Sequence, residues 1–394
     1  MEMKNFTPFS NIRYINSDSN GKEFGVVIVK MAFDINGDGT CILSREQEPL
    51  LFSDECYGEL NASSLRYPSD LVPYKPATDV LVGLVAKAPC TKPISSWLCH
   101  IAVEDEFRTK IEKTIRVTGP RWWVPKWKRA LNDDERRNWK KYLSLFAGWE
   151  LSEPEPIVEL PIRYEYAFGG LMPKGLDRDG KEVVAAFEYN PVGRGWIDKD
   201  WTDHTKPVAA PQIEDVSDPI SNPYETYQPQ GFGPIPPAWL PRRPLGGTYD
   251  QDWMEKVWPQ WPADYQFSYH NSAANMLRGP DGQFIDGQVS VTLTNASEEE
   301  KTRKVLSFNV PSILVQLSDK FENIKSIRIN FDTIHIKLDV ENPLHKQIYV
   351  SGRAVFEVDK FEIITIHQAQ GWMNVNGVHL RDLFPASPDP SEVV

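Results

Sequence analysis

Apolar residues along this chain recur mostly with the short periods of β-structure. The run FGVVIVKMAF, Phe24 to Phe33, reads as a strand, and Thr40 to Leu43 continues it after a turn. Asp79 to Lys87, Ser96 to Val103 and Lys113 to Val117 carry the same texture. From Val289 onward the strands become short and alternating, at Val289 to Asn295, Lys304 to Val310, Lys325 to Leu338 and Gln347 to Val358. Ile327, Ile329 and Phe331, then Ile334, Ile336 and Leu338, recur every second residue, as half-buried antiparallel strands do. Asp332-Thr333 marks a bulge or a change of direction between them. Helical spacing is clear in one place, at Trp139, Tyr142, Leu143 and Phe146. Asn132 is a fair N-cap there, and Asp133, Asp134 and Glu135 suit the positive end of the helix dipole.

These patterns predict a mainly β protein: two antiparallel β-sandwich-like lobes with long Pro/Trp-rich loops and one inserted helix. The lobes are expected at residues 1–288 and 289–383, with the helical insertion at about 131–147 and a flexible, Pro- and Ser-rich tail at 384–394. The 32 prolines and 13 tryptophans fall heavily between Pro207 and Trp261, and loops of that length inside a domain are functional or pinned by their own side chains. DINGDGT, Asp34 to Thr40, opens like a calcium loop, but the twelfth position is Arg45, so a hairpin turn is expected. Pro156 to Gly170 ends in RYEYAFGG and predicts a strand with polar and aromatic residues on opposite faces. In NPVGRGW, Gly193 and Gly195 flank Arg194 and let the backbone approach something closely.

The stretch around which the rest is arranged is SSLRYPSDLVPYKPATDVLVG, Ser63 to Gly83. Pro68, Pro73 and Pro76 forbid helix and extend the residues before them. Asp70, Lys75 and Asp79 among apolar neighbours, and likewise Arg163 and Glu165, are expected to form structural ion pairs.

A formal net charge of −12 argues against a nucleic-acid partner. No signal peptide or membrane span is legible, and Cys41, Cys56, Cys90 and Cys99 lack metal-site spacing, so a cytoplasmic protein with reduced thiols is expected. The seven histidines are scattered and no nucleophile elbow or zinc motif is present. No catalysis, cofactor or metal is therefore expected. An alternative is a glycan-binding or glycan-hydrolysing protein, with Glu165, Asp250, Asp252 or Asp264 as carboxylates and Trp239, Trp253 and Trp258 as sugar platforms. A self-assembling structural component is a further alternative.

Five motifs, in order, carry a resemblance: SSLRYPSDLVPYKPATDVLV, RYEYAFGG, NPVGRG, GFGPIPPAW and TYDQDW. With the lead-in QEPLLFSDECYGE, they resemble an uncharacterised-domain family of type VI secretion accessory proteins over roughly residues 24 to 360. The chain departs from that pattern at Val350-Ser351-Gly352-Arg353 and in the longer segment from Arg121 to Trp149. The resemblance implies a cytoplasmic adaptor or chaperone that loads a toxin effector onto the secretion spike. Its partners would be the effector and the valine–glycine-repeat spike protein or its cap. Aromatics and arginines in ordered loops suit such contacts, and Arg66, Tyr67, Tyr74, Arg194, Phe232, Trp239, Arg242, Tyr249 and Trp253 are the candidates.

Overall fold

The computed structural model describes residues 2–89, 92–106, 110–126, 134, 137, 148–176, 179–198, 206–296, 303–339, 345–369 and 383–393. The fold is mainly β, built from several sheets in a sandwich-like arrangement. Its central sheet orders Ser10–Ser17, Glu23–Ile35, Gln347–Glu357, Asn330–Lys337 and Asp79–Gly83, with Cys41–Leu43 added to the second of these. A second sheet orders Ile213–Asp215, Lys110–Thr118, Ser96–Asp105, Gly287–Thr294 and Arg303–Val310. A third orders Glu2–Asn5, Ile363–Gln368, Ile313–Ser318 and Ile324–Arg328.

The three sheets share one apolar core, because strand alternation sends every second side chain to the same side. Val27, Val29 and Met31 meet Ile101, Val103, Ile115 and Val291 there, together with Val315 and Ile366. The opposite face of the central sheet is mixed. Phe24, Val26, Ile28 and Val355 form a smaller cluster with Leu50 and Tyr74, and beside them the same alternation puts Lys30, Thr333, His335, Lys337, Tyr349, Ser351 and Arg353. A third cluster, around Trp123, Trp149, Phe168 and Phe187, holds the loop region.

Sheet membership does not follow the expected division at 288/289. Gly287–Thr294 pairs with Ser96–Asp105, and Gln347–Glu357 and Asn330–Lys337 sit between Glu23–Ile35 and Asp79–Gly83. Alternation reports which face of a strand is buried; it carries no information about the neighbour. The expected flexible tail is also corrected. Ala386 bridges Arg328, Asn330 Nδ2 donates to Ser387 O at 2.9 Å, and Ser387 Oγ accepts from Val355 N at 2.8 Å. Val393 is buried against the central sheet. A Pro-rich segment with no periodicity looks unstructured, yet these backbone and side-chain bonds fix it.

The single strand expected over Lys325 to Leu338 is two, Ile324–Arg328 and Asn330–Lys337, in different sheets, with Ile329 at the crossing. Asp332 is the bulge, since the register slips between Phe331 and Thr333. Asp34 to Thr40 is a hairpin turn as expected: Asn36 N donates to Thr40 O, and Asp38 Oδ1 accepts from Thr40 N and Oγ1. The helix expected at 131–147 lies outside the described residues apart from Asp134 and Arg137, as does Cys90. Cys41, Cys56 and Cys99 are free thiols. Among the described residues no helix is long and apolar enough to cross a membrane.

Candidate functional site

The stretch Ser63–Gly83 ends in the Asp79–Gly83 strand of the central sheet, and from Asp70 to Lys75 it is bonded to the sheet's polar part. Asp70 accepts from Lys30 Nζ at 2.8 Å, from Leu51 N at 2.8 Å and from Ser351 Oγ at 3.1 Å. Burial works against its charge, but Lys30 and the Leu51 amide outweigh it and hold the carboxyl below its ordinary range. Arg353 Nε donates to Val72 O at 2.5 Å and its Nη2 to Asp70 O at 2.7 Å, while Nη1 pairs with Asp332. A guanidinium is suited to this, because its rigid fork serves several acceptors at once. Lys75 and Asp79, both fully enclosed, pair at 2.9 Å. Asp79 also accepts from Asn271 Nδ2 at 2.9 Å and from Ser272 N at 2.8 Å. Removing one partner of such a buried pair costs about 3–5 kcal/mol, since the remaining charge is left uncompensated.

Of the five residues expected in ion pairs, Asp70, Lys75 and Asp79 are in them. Lys75 and Asp79 pair with each other, and Asp70 pairs with Lys30, which lies outside the stretch. Arg163 stacks over Tyr57 at 3.9 Å, and Glu165 accepts from Ser64 N at 2.9 Å and Ser64 Oγ at 2.6 Å. Lys30, Asp332 and Arg353 were missed. Lys30 and Arg353 are each a charge flanked by apolar residues in an inner strand, and that is a legible signal, because such a charge must find a partner.

RYEYAFGG and NPVGRG turn out to be two halves of one device. In place of one strand, Tyr164–Tyr166 is a 3-10 turn, followed by the short strand Phe168–Gly169, which runs parallel to Arg194–Gly195. Fully buried Asn190 donates to Tyr164 O at 2.8 Å and to Phe168 O at 3.0 Å, and its carbonyl oxygen takes the Gly170 amide. What the glycines admit is the other motif: a Cβ on Gly193 would stand 2.7 Å from Ala167 O, and one on Gly169 would stand 2.1 Å from Asn190 O. Arg194 closes the device, donating to Glu165 O at 2.6 Å and lying over Tyr166.

Most of the candidate contact residues serve the fold. Phe232, Trp239, Tyr74 and Arg242 are buried, which corrects the expectation that they offer surface. Loops rich in Pro and Trp are exposed as backbone, but their large side chains are what pins them. Trp239 packs edge-on against Tyr164, Tyr74 against Phe267, and Phe232 O accepts from Val82 N. Arg242 ties Tyr269 O to Ile235 O. Arg66 is half-buried, 3.8 Å from Asp339 and stacked between Tyr57 and Tyr67. Tyr67 is also half-buried.

TYDQDW is different. Asp250 caps the helical turn Gln251–Lys256 by accepting from Trp253 N at 2.8 Å, and half-buried Trp253 donates its indole N–H to Gln260 O at 3.0 Å. On this fixed turn Tyr249 is 58%, Met254 62% and Trp258 67% exposed, with Tyr249 set edge-on to Trp253 at 4.7 Å. The carboxylates of the glycan alternative have local tasks. Asp250 caps, Asp252 pairs with Lys256, Asp264 binds Thr248 through its amide and hydroxyl, and Glu165 binds Ser64. Among the described residues no group of three or more His, Cys, Asp or Glu is placed to hold a metal ion.

A family profile described as an uncharacterized protein conserved in bacteria (DUF2169) matches residues 20–344. No curated protein and no solved structure matches the chain.

Proposed function

We propose that this chain, which belongs to the DUF2169 family of bacterial proteins, is a non-catalytic adaptor of type VI secretion. In this reading it binds a toxin effector in the cytoplasm and helps load it onto the spike, made by the valine–glycine-repeat protein and its cap. The observation that carries the reading is the exposed apolar surface at TYDQDW and the turn that follows it. Tyr249, Met254 and Trp258 stay exposed on a turn whose backbone is held by a cap and by an indole hydrogen bond. Aromatic and methionine side chains on a rigid mount are the groups that dominate protein interfaces, since little entropy is lost in docking them. Further along the chain, Asn271 and Ser272 are bonded to Asp79 of the signature stretch.

The test is reciprocal co-purification of the tagged chain from its own cells with the secretion system active, followed by direct binding to the recovered partner. A toxin effector recovered at equal stoichiometry, and bound at least about tenfold more weakly by a Tyr249→Ala, Trp258→Ala double variant, is expected. A chain that purifies alone at every salt concentration overturns the reading. An effector bound equally well by the double variant overturns the surface assigned to it.

A further inference from the structure

Between the signature stretch and the polar part of the central sheet is a cavity of about 280 Å³, close to the lower end of small-ligand sites. Three donors line it that have no acidic partner among the described residues. His335 is 7% exposed, and its ring touches Tyr67 and Tyr349 but has no hydrogen-bond partner among the described residues. The Tyr67 hydroxyl is enclosed beside the Arg66 guanidinium, and its O–H finds no acceptor there either. The Lys337 ammonium has a 3.4 Å contact to Tyr349 Oη and lies 5.8 Å from the centres of the Tyr67 and Tyr349 rings, with no acid partner among the described residues.

The other charges facing this space are accounted for. Lys30 is neutralised by Asp70, Lys75 by Asp79 and Arg353 by Asp332. Glu48 and Glu55 are exposed at the rim. What remains inside is one positive charge and two neutral donors. Burial keeps the His335 imidazole uncharged, with its pKa pushed down to about 3, so it offers a single N–H. It also keeps the Tyr67 phenol protonated, with its pKa raised to about 12. Leu50, Leu51 and Tyr349 supply apolar wall.

We propose that this cavity binds a monocarboxylate carried on a short apolar body, no larger than one amino-acid residue. The two carboxylate oxygens accept from Lys337, Tyr67 and His335, and the body packs on Tyr349 and Leu51. One cation balances one anion, and the rim glutamates turn away ligands with a second negative charge. The same chemistry has two sources, a free small carboxylate or the C-terminal residue of a peptide, and this inference does not depend on the adaptor reading.

The experiment is calorimetric titration of the whole chain at pH 7 with N-acetyl-leucine and with acetyl-Gly-Gly-Leu, each as the free acid and as the amide. Both acids are expected to bind at least about tenfold more tightly than their amides, as the loss of charge-assisted bonds requires. Lys337→Met and Tyr67→Phe are each expected to weaken the acids by about tenfold or more while leaving the amides unchanged. Lys337 is half-exposed at a strand end and Tyr67→Phe keeps the ring, and thermal melts verify that both fold. A peptide acid that binds tighter than N-acetyl-leucine assigns the site to a chain terminus; equal affinities assign it to a free carboxylate. Acid and amide binding alike, binding retained in the Lys337→Met variant, or no heat from either acid overturns the proposal.

Discussion

His335 and His270 set how this protein responds to acid. Burial lowers the pKa of both to about 3, whereas an unfolded histidine titrates near about 6.5. Between these values the unfolded chain binds more protons, so stability rises with pH in that window and is lost as pH falls through it. Each histidine contributes a slope of up to about 1.4 kcal/mol per pH unit there. Urea unfolding at pH 7 and pH 5 is expected to show a loss of about 2 kcal/mol per histidine, and His335→Gln to remove its share of the difference. A variant with an unchanged difference would show that this ring takes up its proton in the folded state. Neither histidine could be singled out in the sequence, because burial depends on sheet packing that alternation does not specify. Lys30 and Arg353 were more legible: VVIVKMAF and YVSGRAVF each hold one charge amid apolar residues. Only the partners, 40 and 21 residues away, were not.

Among the elements, the joined motifs RYEYAFGG and NPVGRG are the most exacting. Close approach was readable from the glycines around Arg194, but the thing approached was not, since it lies in the preceding motif and is held by Asn190. Gly193→Ala places a Cβ 2.4 Å from Asn190 Nδ2 and 2.7 Å from a backbone oxygen, and is expected to cost about 2–3 kcal/mol. Gly37→Ala meets nothing within 4 Å and is expected to stay within about 0.5 kcal/mol of the parent. Denaturant melts of the two variants make the comparison, and a Gly193→Ala chain as stable as Gly37→Ala would refute the packing described. Of the strand expected over Pro156 to Gly170, Glu159–Pro161 and Phe168–Gly169 are strands, and a 3-10 turn at Tyr164–Tyr166 separates them. Tyr164 and Phe168 enter different cores and do not line one pleated face.

At the scale of the molecule, strands near both ends of the sequence interleave. The β class and most strand positions were readable from apolar spacing, whereas the order of strands was not, because hydrogen bonding across hundreds of residues leaves no local trace. Residues 1–288 alone lack both strands that separate Glu23–Ile35 from Asp79–Gly83. That fragment is expected to show no cooperative thermal transition and no near-ultraviolet circular dichroism. A sharp transition in it would establish an independent N-terminal unit. The way the signature stretch is anchored also bears on exchange of segments between members of the family. Its Asp70 answers to Lys30 and Ser351, its backbone at Val72 to Arg353, and its Asp79 to Asn271 and Ser272. A graft of residues 63–83 into a relative would arrive with its counterparts left behind, so the heritable module is a set of four scattered segments that must travel together.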